Sequence, residues 1–169
     1  MTLTLLSLII FMAYLAIIIA YFGIPDSLSE SYYLLEGKFK NSGVLFTLLM
    51  FVMVFLIIAP MLDSTPDKFQ ALAFFAILGL GFVGAAPLFK REGTESRVHF
   101  IAAAVSALCG MIWIFVVFPT LFYVPIAVAV TVLTLAALTK TTTKAFLFWA
   151  EMVVFFSVYV VLLLQQIVV

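Results

Sequence analysis
Two ionisable residues sit where charge is costly, and a short polar run precedes them in the chain. Glu151 follows Lys144 by about seven residues, which puts it on the order of 10 Å into an apolar stretch at about 1.5 Å per residue. Ionisable groups at that depth are expensive and usually face a bundle interior or a water-filled cavity. A carboxylate there could act as a general base or a hydrogen-bond acceptor. The plainer alternative is that it snorkels to the interface or pairs with Lys144 or Arg97. His99 is the only histidine and falls in the first turn of a helical stretch. A helix N-terminus disfavours an imidazolium, which suits a neutral base or hydrogen-bond partner. Its plainer reading is an interfacial residue beside Arg97. The run from Ile24 to Tyr33 is the densest polar segment, with Asp26, Ser27, Ser29 and Tyr32, and turn chemistry accounts for much of it. If all three features face one membrane surface, with Asn41 and Ser42 nearby, they form a polar vestibule.

Other chemistries lack their residues. A single histidine cannot supply the usual ligands of a catalytic zinc, and the one cysteine, Cys109, lies mid-span. No metal, cofactor or disulfide framework is therefore expected. Gly79, Gly81 and Gly84 match G-x-G-x-x-G, but that dinucleotide fingerprint needs a strand before it and an open helix N-terminus after it. Here it lies inside an apolar stretch, so close helix packing is the physical reading. Gly81, Gly84, Ala85 and Ala86 make one small-residue face; Ala102 to Ala104, Ser106 and Gly110 make another. Spans three and four should pack through them, and Gly81, Gly84 and Gly110 also offer a surface for a homo-oligomer.

The elements that position these residues follow from composition. The chain is 67% hydrophobic and 9% charged, with mean hydropathy +1.36, which excludes a soluble domain. A membrane helix needs about 20 apolar residues. Six stretches qualify: Leu3–Gly23, Gly43–Leu62, Phe69–Leu88, Val98–Phe118, Thr120–Leu138 and Ala145–Val169. Continuous apolarity without alternation predicts helices rather than barrel strands. The fold class expected is all-α, a polytopic bundle of six spans forming a single domain without internal repeat. The fifth span is the ambiguous one, because a start at Pro125 would leave it only about 15 residues.

With six spans, Lys38, Lys40, Lys90, Arg91, Arg97, Lys140 and Lys144 share one side and only Lys68 lies opposite. That bias predicts both termini outside and the basic loops in the cytoplasm. No basic residue precedes the first apolar run, so it reads as a retained span rather than a cleaved signal. Zero net charge gives no sign of nucleic-acid binding. Thr65 with Pro66 and Asp67 reads as a helix start, and Thr94 or Ser96 as another. Ser27 and Glu30 have capping-box spacing for a short helix over Ser27–Leu35, stopped by Gly37. Trp149, Tyr32 and Tyr33 are placed to form an aromatic belt.

Pro25, Ser27, Ser29 and Tyr32, a second span led by Gly43, Gly84 to Pro87, and Val98, His99, Ala102 and Ala103 form an ordered set over residues 1–118. The set resembles the prokaryotic six-helix membrane proteins related to the DRAM-type family, whose eukaryotic members modulate autophagy and lipid-anchor remodelling. More remotely it is similar to the alkaline ceramidase and adiponectin-receptor superfamily of zinc-dependent lipid amidases. The chain lacks the several histidines of that superfamily, so no catalytic role carries over. The resemblance implies an integral protein of a prokaryotic cytoplasmic (inner) membrane, in contact with membrane lipids. The favoured expectation is a protein, leaning non-enzymatic, that binds or transports a small polar molecule or lipid headgroup. Its vestibule would be lined by Asp26, Ser27, Ser29, Tyr32, His99 and Glu151. The alternatives are an intramembrane lipid hydrolase with Glu151 or His99 as base, and an oligomeric pore or interaction protein.

Overall fold
A computed structural model describes residues 1–90 and 93–168; Arg91, one of the basic-loop residues, and Val169, the end of the last expected span, lie outside the described residues. Among the described residues there are seven α-helices and no strand. They are α1 (Thr2–Phe22), α2 (Ser31–Lys38), α3 (Val44–Asp63), α4 (Gln70–Ala85), α5 (Thr94–Val117), α6 (Tyr123–Leu138) and α7 (Phe146–Val168). Six of these, all except α2, are long and apolar enough to cross a membrane once the short 3-10 turns before α4 and α6 are included. Helices satisfy every backbone group internally, which is what hydrocarbon demands of a spanning segment. The chain is an integral membrane protein built as an all-α bundle of six spans.

The ambiguous fifth span is not shortened. A 3-10 turn over Pro119–Leu121 leads into α6, and Pro125 falls in its first turn, where a missing N–H costs nothing. Together they give an apolar span of 20 residues.

Five spans close a ring in the order α1, α3, α4, α5, α7, and α6 packs outside it on α7. Glycines set the closest seams, though not the ones expected. A Cβ on Gly79 would come within 2.7 Å of the Ala102 carbonyl oxygen on α5, so this glycine makes the α4–α5 seam. The Ser106 hydroxyl reinforces it by donating to the Ala76 carbonyl at 2.7 Å. Gly84 instead abuts Met50 of α3, whereas Gly110 lies between Val158 of α7 at 3.5 Å and Ala76 of α4 at 4.0 Å. Gly81 has only Val54 within reach, at 3.9 Å. Between α1 and α7, Ser7 and Tyr159 share a hydrogen bond of 2.6 Å, with Phe11 packed on Phe155 beside it.

At the end of the bundle holding the 64–69 turn, Thr65 is not a helix cap. Its hydroxyl donates to the Met61 carbonyl and accepts from the buried Trp113 indole N–H at 2.7 Å, so it ties this turn to α5. The 3-10 turn Asp67–Phe69 that precedes α4 has no side-chain cap. Likewise α5 starts after Gly93, at φ +124°, without a side-chain cap from Thr94 or Ser96. At the opposite end, Trp149 is buried and donates to Thr141 at 3.1 Å, so it packs inward rather than joining a lipid-facing belt. Tyr21, Phe39 and Phe146 are exposed aromatic residues there, with the Lys38 ammonium 4.9 Å from the Tyr21 ring.

Candidate functional site
The polar run after α1 folds back across the end of the bundle. Gly23 (φ +77°) lets the chain leave α1 in a conformation other residues rarely adopt. Ser27 then accepts the Glu30 N–H at 3.2 Å and starts a 3-10 turn over Leu28–Glu30. This is half of the expected capping box. The Glu30 carboxylate does not return to Ser27 but accepts the Asp26 N–H at 2.9 Å and pairs with Lys90 at 2.6 Å. The helix that follows, α2, runs through Gly37 to Lys38. Ser31 donates to the Leu28 carbonyl and shares a 2.6 Å hydrogen bond with Tyr14, which fastens the run to α1. Two further bonds fasten it to α7: the Asp26 carbonyl accepts the Phe148 N–H at 3.0 Å, and the Leu28 N–H donates to Glu151 Oε2 at 2.6 Å.

Glu30 lies at the water-facing edge of this roof. Partial burial on its own pushes its carboxyl upward. The hydrogen bonds from Lys90 and the Asp26 N–H, with the charges of Lys90 and Lys144, outweigh that and hold it below the ordinary 4.5. It is therefore ionised at neutral pH and holds Lys90, whose backbone N–H also donates to the Tyr33 hydroxyl at 2.9 Å.

Beneath the roof is a cavity of about 370 Å³, walled by α3, α4, α5 and α7. Its body is apolar, with Met50, Ile57, Met61, Ile77 and Leu80 among the lining side chains. Four polar side chains reach the cavity at the roofed end, Ser27, Ser29, His99 and Glu151; deeper in, Ser106 and Tyr159 line it with hydroxyls already bonded to the Ala76 carbonyl and to Ser7. His99 is buried, with its ring stacked 4.7 Å from Phe89 and Nδ1 at 2.9 Å from the Ala86 carbonyl. A carbonyl only accepts, so Nδ1 carries the proton in that bond. Glu151 spends Oε2 on Leu28, and among the described residues Oε1 meets no donor. The roofed end therefore offers a carboxylate oxygen, an imidazole ring and two hydroxyls to whatever fills the cavity.

Four of the six residues singled out in the sequence thus meet on one cavity, and two do not. Asp26 is exposed and contributes through its backbone N–H and C=O. Tyr32 packs its ring against Gly43, where a Cβ would lie 2.8 Å away, and stays off the cavity wall. Glu151 takes its hydrogen bond from the Leu28 backbone, not from Lys144 or Arg97. Phe89 and the Glu30–Lys90 pair had no signal in the sequence, because their spacing matches no motif and only packing brings them to this end. Among the described residues no three His, Cys, Asp or Glu side chains converge to hold a metal ion. The chain matches no family profile, no curated protein and no solved structure.

Proposed function
We propose that this protein binds a lipid-like amphiphile inside the bilayer, with the headgroup against Ser27, Ser29, His99 and Glu151. The observation that carries the reading is that Glu151 of α7 and His99 of α5 line the same cavity at one end, and that the rest of its wall is largely apolar. A tail gains little by moving from lipid to an apolar protein wall, because both surroundings are equally dry. Selection must then come from the polar end, where an unpartnered carboxylate oxygen is worth far more than in water. Lys38, Lys40, Lys90, Arg97, Lys140 and Lys144 gather at this end of the bundle, and by that bias we orient the site to the cytoplasmic leaflet. By its family resemblance we assign the protein to a prokaryotic cytoplasmic membrane. Gly84 and Gly110 are taken up by contacts within the chain, which favours a single chain as the binding unit.

The test is photolabelling of the purified chain in lipid nanodiscs with a diazirine-tagged long-chain amine. Label should concentrate on α5 and α7 around His99 and Glu151. Glu151→Gln should cut it by about tenfold or more, the loss of one charge-assisted hydrogen bond of about 1.5–3 kcal/mol. Asp67→Asn, at the opposite end of the bundle, should leave it unchanged. Label spread evenly over lipid-facing residues, or indifferent to Glu151→Gln, overturns the reading.

A further inference from the structure
The cavity has a closed roof and one open side. From the water, access is barred by the Leu28 turn, held by the Leu28–Glu151 and Asp26–Phe148 hydrogen bonds and the Glu30–Lys90 pair. The α4–α5 seam is shut by Gly79 against Ala102, and the α3–α4 seam by Gly84 against Met50. No α1 residue lines the cavity, and the α1–α7 contact is closed by Ser7–Tyr159 and Phe11–Phe155. Between α5 and α7 the situation differs. Phe100 and Leu147 both line the cavity, yet they are 53% and 50% exposed on the surface that faces lipid. Behind them the α5 wall is alanine (Ala103, Ala104, Ala107) opposite Ala150, so small side chains leave a slot where larger ones would close the seam.

Size and polarity limit what passes. A methylene takes about the volume of a water molecule, roughly 30 Å³, so 370 Å³ has room for at least about twelve such groups, the length of one chain. The free groups at the roofed end are Glu151 Oε1, which accepts, and the Ser27 and Ser29 hydroxyls, which can turn to donate or accept. A carboxylate or phosphate head would set like against like at Glu151, whereas an ammonium or hydroxyl head supplies the donor that its Oε1 lacks.

We infer that the occupant is a single-chain amphiphile with a donor-bearing head, a long-chain amine or alcohol, and that it enters sideways from the cytoplasmic leaflet between α5 and α7. This rests on the headgroup site proposed above and adds its route and its chain number. The experiment follows exchange of tritiated dodecylamine on the full chain in nanodiscs, with two portal variants of opposite sign. Ala104→Trp, on the exposed rim, should slow association and release by at least tenfold. Phe100→Ala should speed both by severalfold. At equal membrane mole fraction, dodecanol should compete with dodecylamine, whereas two-chain phosphatidylethanolamine and lauric acid should compete at least tenfold less well. Millimolar ethanolamine in the water should not compete. Unchanged exchange in both variants overturns the lateral route. Equal competition by phosphatidylethanolamine overturns the single chain, and equal competition by lauric acid overturns the donor-bearing head. Displacement by ethanolamine assigns the site to a soluble molecule instead. Failure of the headgroup site itself reads differently: dodecylamine then shows no saturable binding, or binds Glu151→Gln as it binds the wild type.

Discussion

Replacing Glu151 by alanine tests whether one carboxylate supports the roof of the cavity. Leu28 is 3% exposed and its N–H has Glu151 Oε2 as its acceptor at 2.6 Å. Truncation leaves that donor buried and unpaired, a cost of about 1–3 kcal/mol. Expressed as an opening equilibrium, this raises the open population of the turn by about fivefold to 150-fold. The Asp26–Phe148 and Glu30–Lys90 links survive the substitution and anchor the turn on either side, so the lower half of that range is expected. Glu151→Gln keeps an acceptor oxygen for Leu28 and loses only the charge assistance, so its effect should be roughly half as large in free energy. Hydrogen–deuterium exchange of a peptide covering residues 24–31 in nanodiscs reads the opening directly. Faster exchange should be confined to that peptide and the first turn of α7. The argument fails if Glu151→Ala exchanges like the wild type, or if Glu151→Gln exchanges as fast as Glu151→Ala.

Other consequences are simpler to state. The folded-state carboxyl of Glu30 lies below its ordinary 4.5, so its stabilising link is complete above about pH 4.5 and is lost as pH falls through the folded value. The thermal midpoint should therefore drop more steeply on acidification in the wild type than in Glu30→Gln, and parallel curves would contradict the link. Gly79→Ala should destabilise by about 1–3 kcal/mol, since its Cβ meets a backbone oxygen at 2.7 Å that cannot move aside. Gly81→Ala, with nothing nearer than 3.9 Å, should be neutral or gain up to about 1 kcal/mol of helix propensity in the same thermal assay. Thr65→Val should cost about 1–3 kcal/mol by orphaning the buried Trp113 indole N–H, whereas Thr65→Ser should not. A change in tryptophan emission should accompany the valine variant alone, and identical spectra would refute the bond.

Much of the fold was legible because hydrocarbon allows so few solutions. Six long apolar runs, separated by charged or proline-bearing breaks, can only be helices, and even the Pro119 and Pro125 ambiguity resolves by ordinary first-turn tolerance of proline. Glu151 and His99 stood out for the same reason, as polar groups in an apolar medium. Their meeting was not legible, since it depends on how α5 and α7 are rotated, and helix rotation is set by contacts between helices. The glycines illustrate this: G-x-G-x-x-G announces a packed helix, but which glycine faces which neighbour follows from rotation alone. Gly79 makes the α4–α5 seam while Gly81 faces a looser gap. Thr65 had the local pattern of a cap, and a distant Trp113 claimed its hydroxyl. Asp26 had the right residue type in the right segment, yet a turn uses its backbone and leaves its carboxylate in water.

The two oxygens of Glu151 divide its work, and that division bears on how a ligand arrives. Oε2 holds the roof through Leu28, while Oε1 points to no partner among the described residues. A ligand donor can satisfy Oε1 without taking the acceptor from Leu28, so binding and roof closure do not compete for the same atom. A molecule arriving from the water would have to break Leu28–Glu151, Asp26–Phe148 and Glu30–Lys90 together. At about 1 kcal/mol net for each, that state is populated on the order of one part in a hundred, and every passage would wait for it. A molecule already in the leaflet breaks none of the three and needs only the half-exposed Phe100 and Leu147 to swing aside, which side chains on a lipid-facing surface do far more readily. The same bonds that make the polar end dry enough to select a headgroup thus direct its traffic to the side.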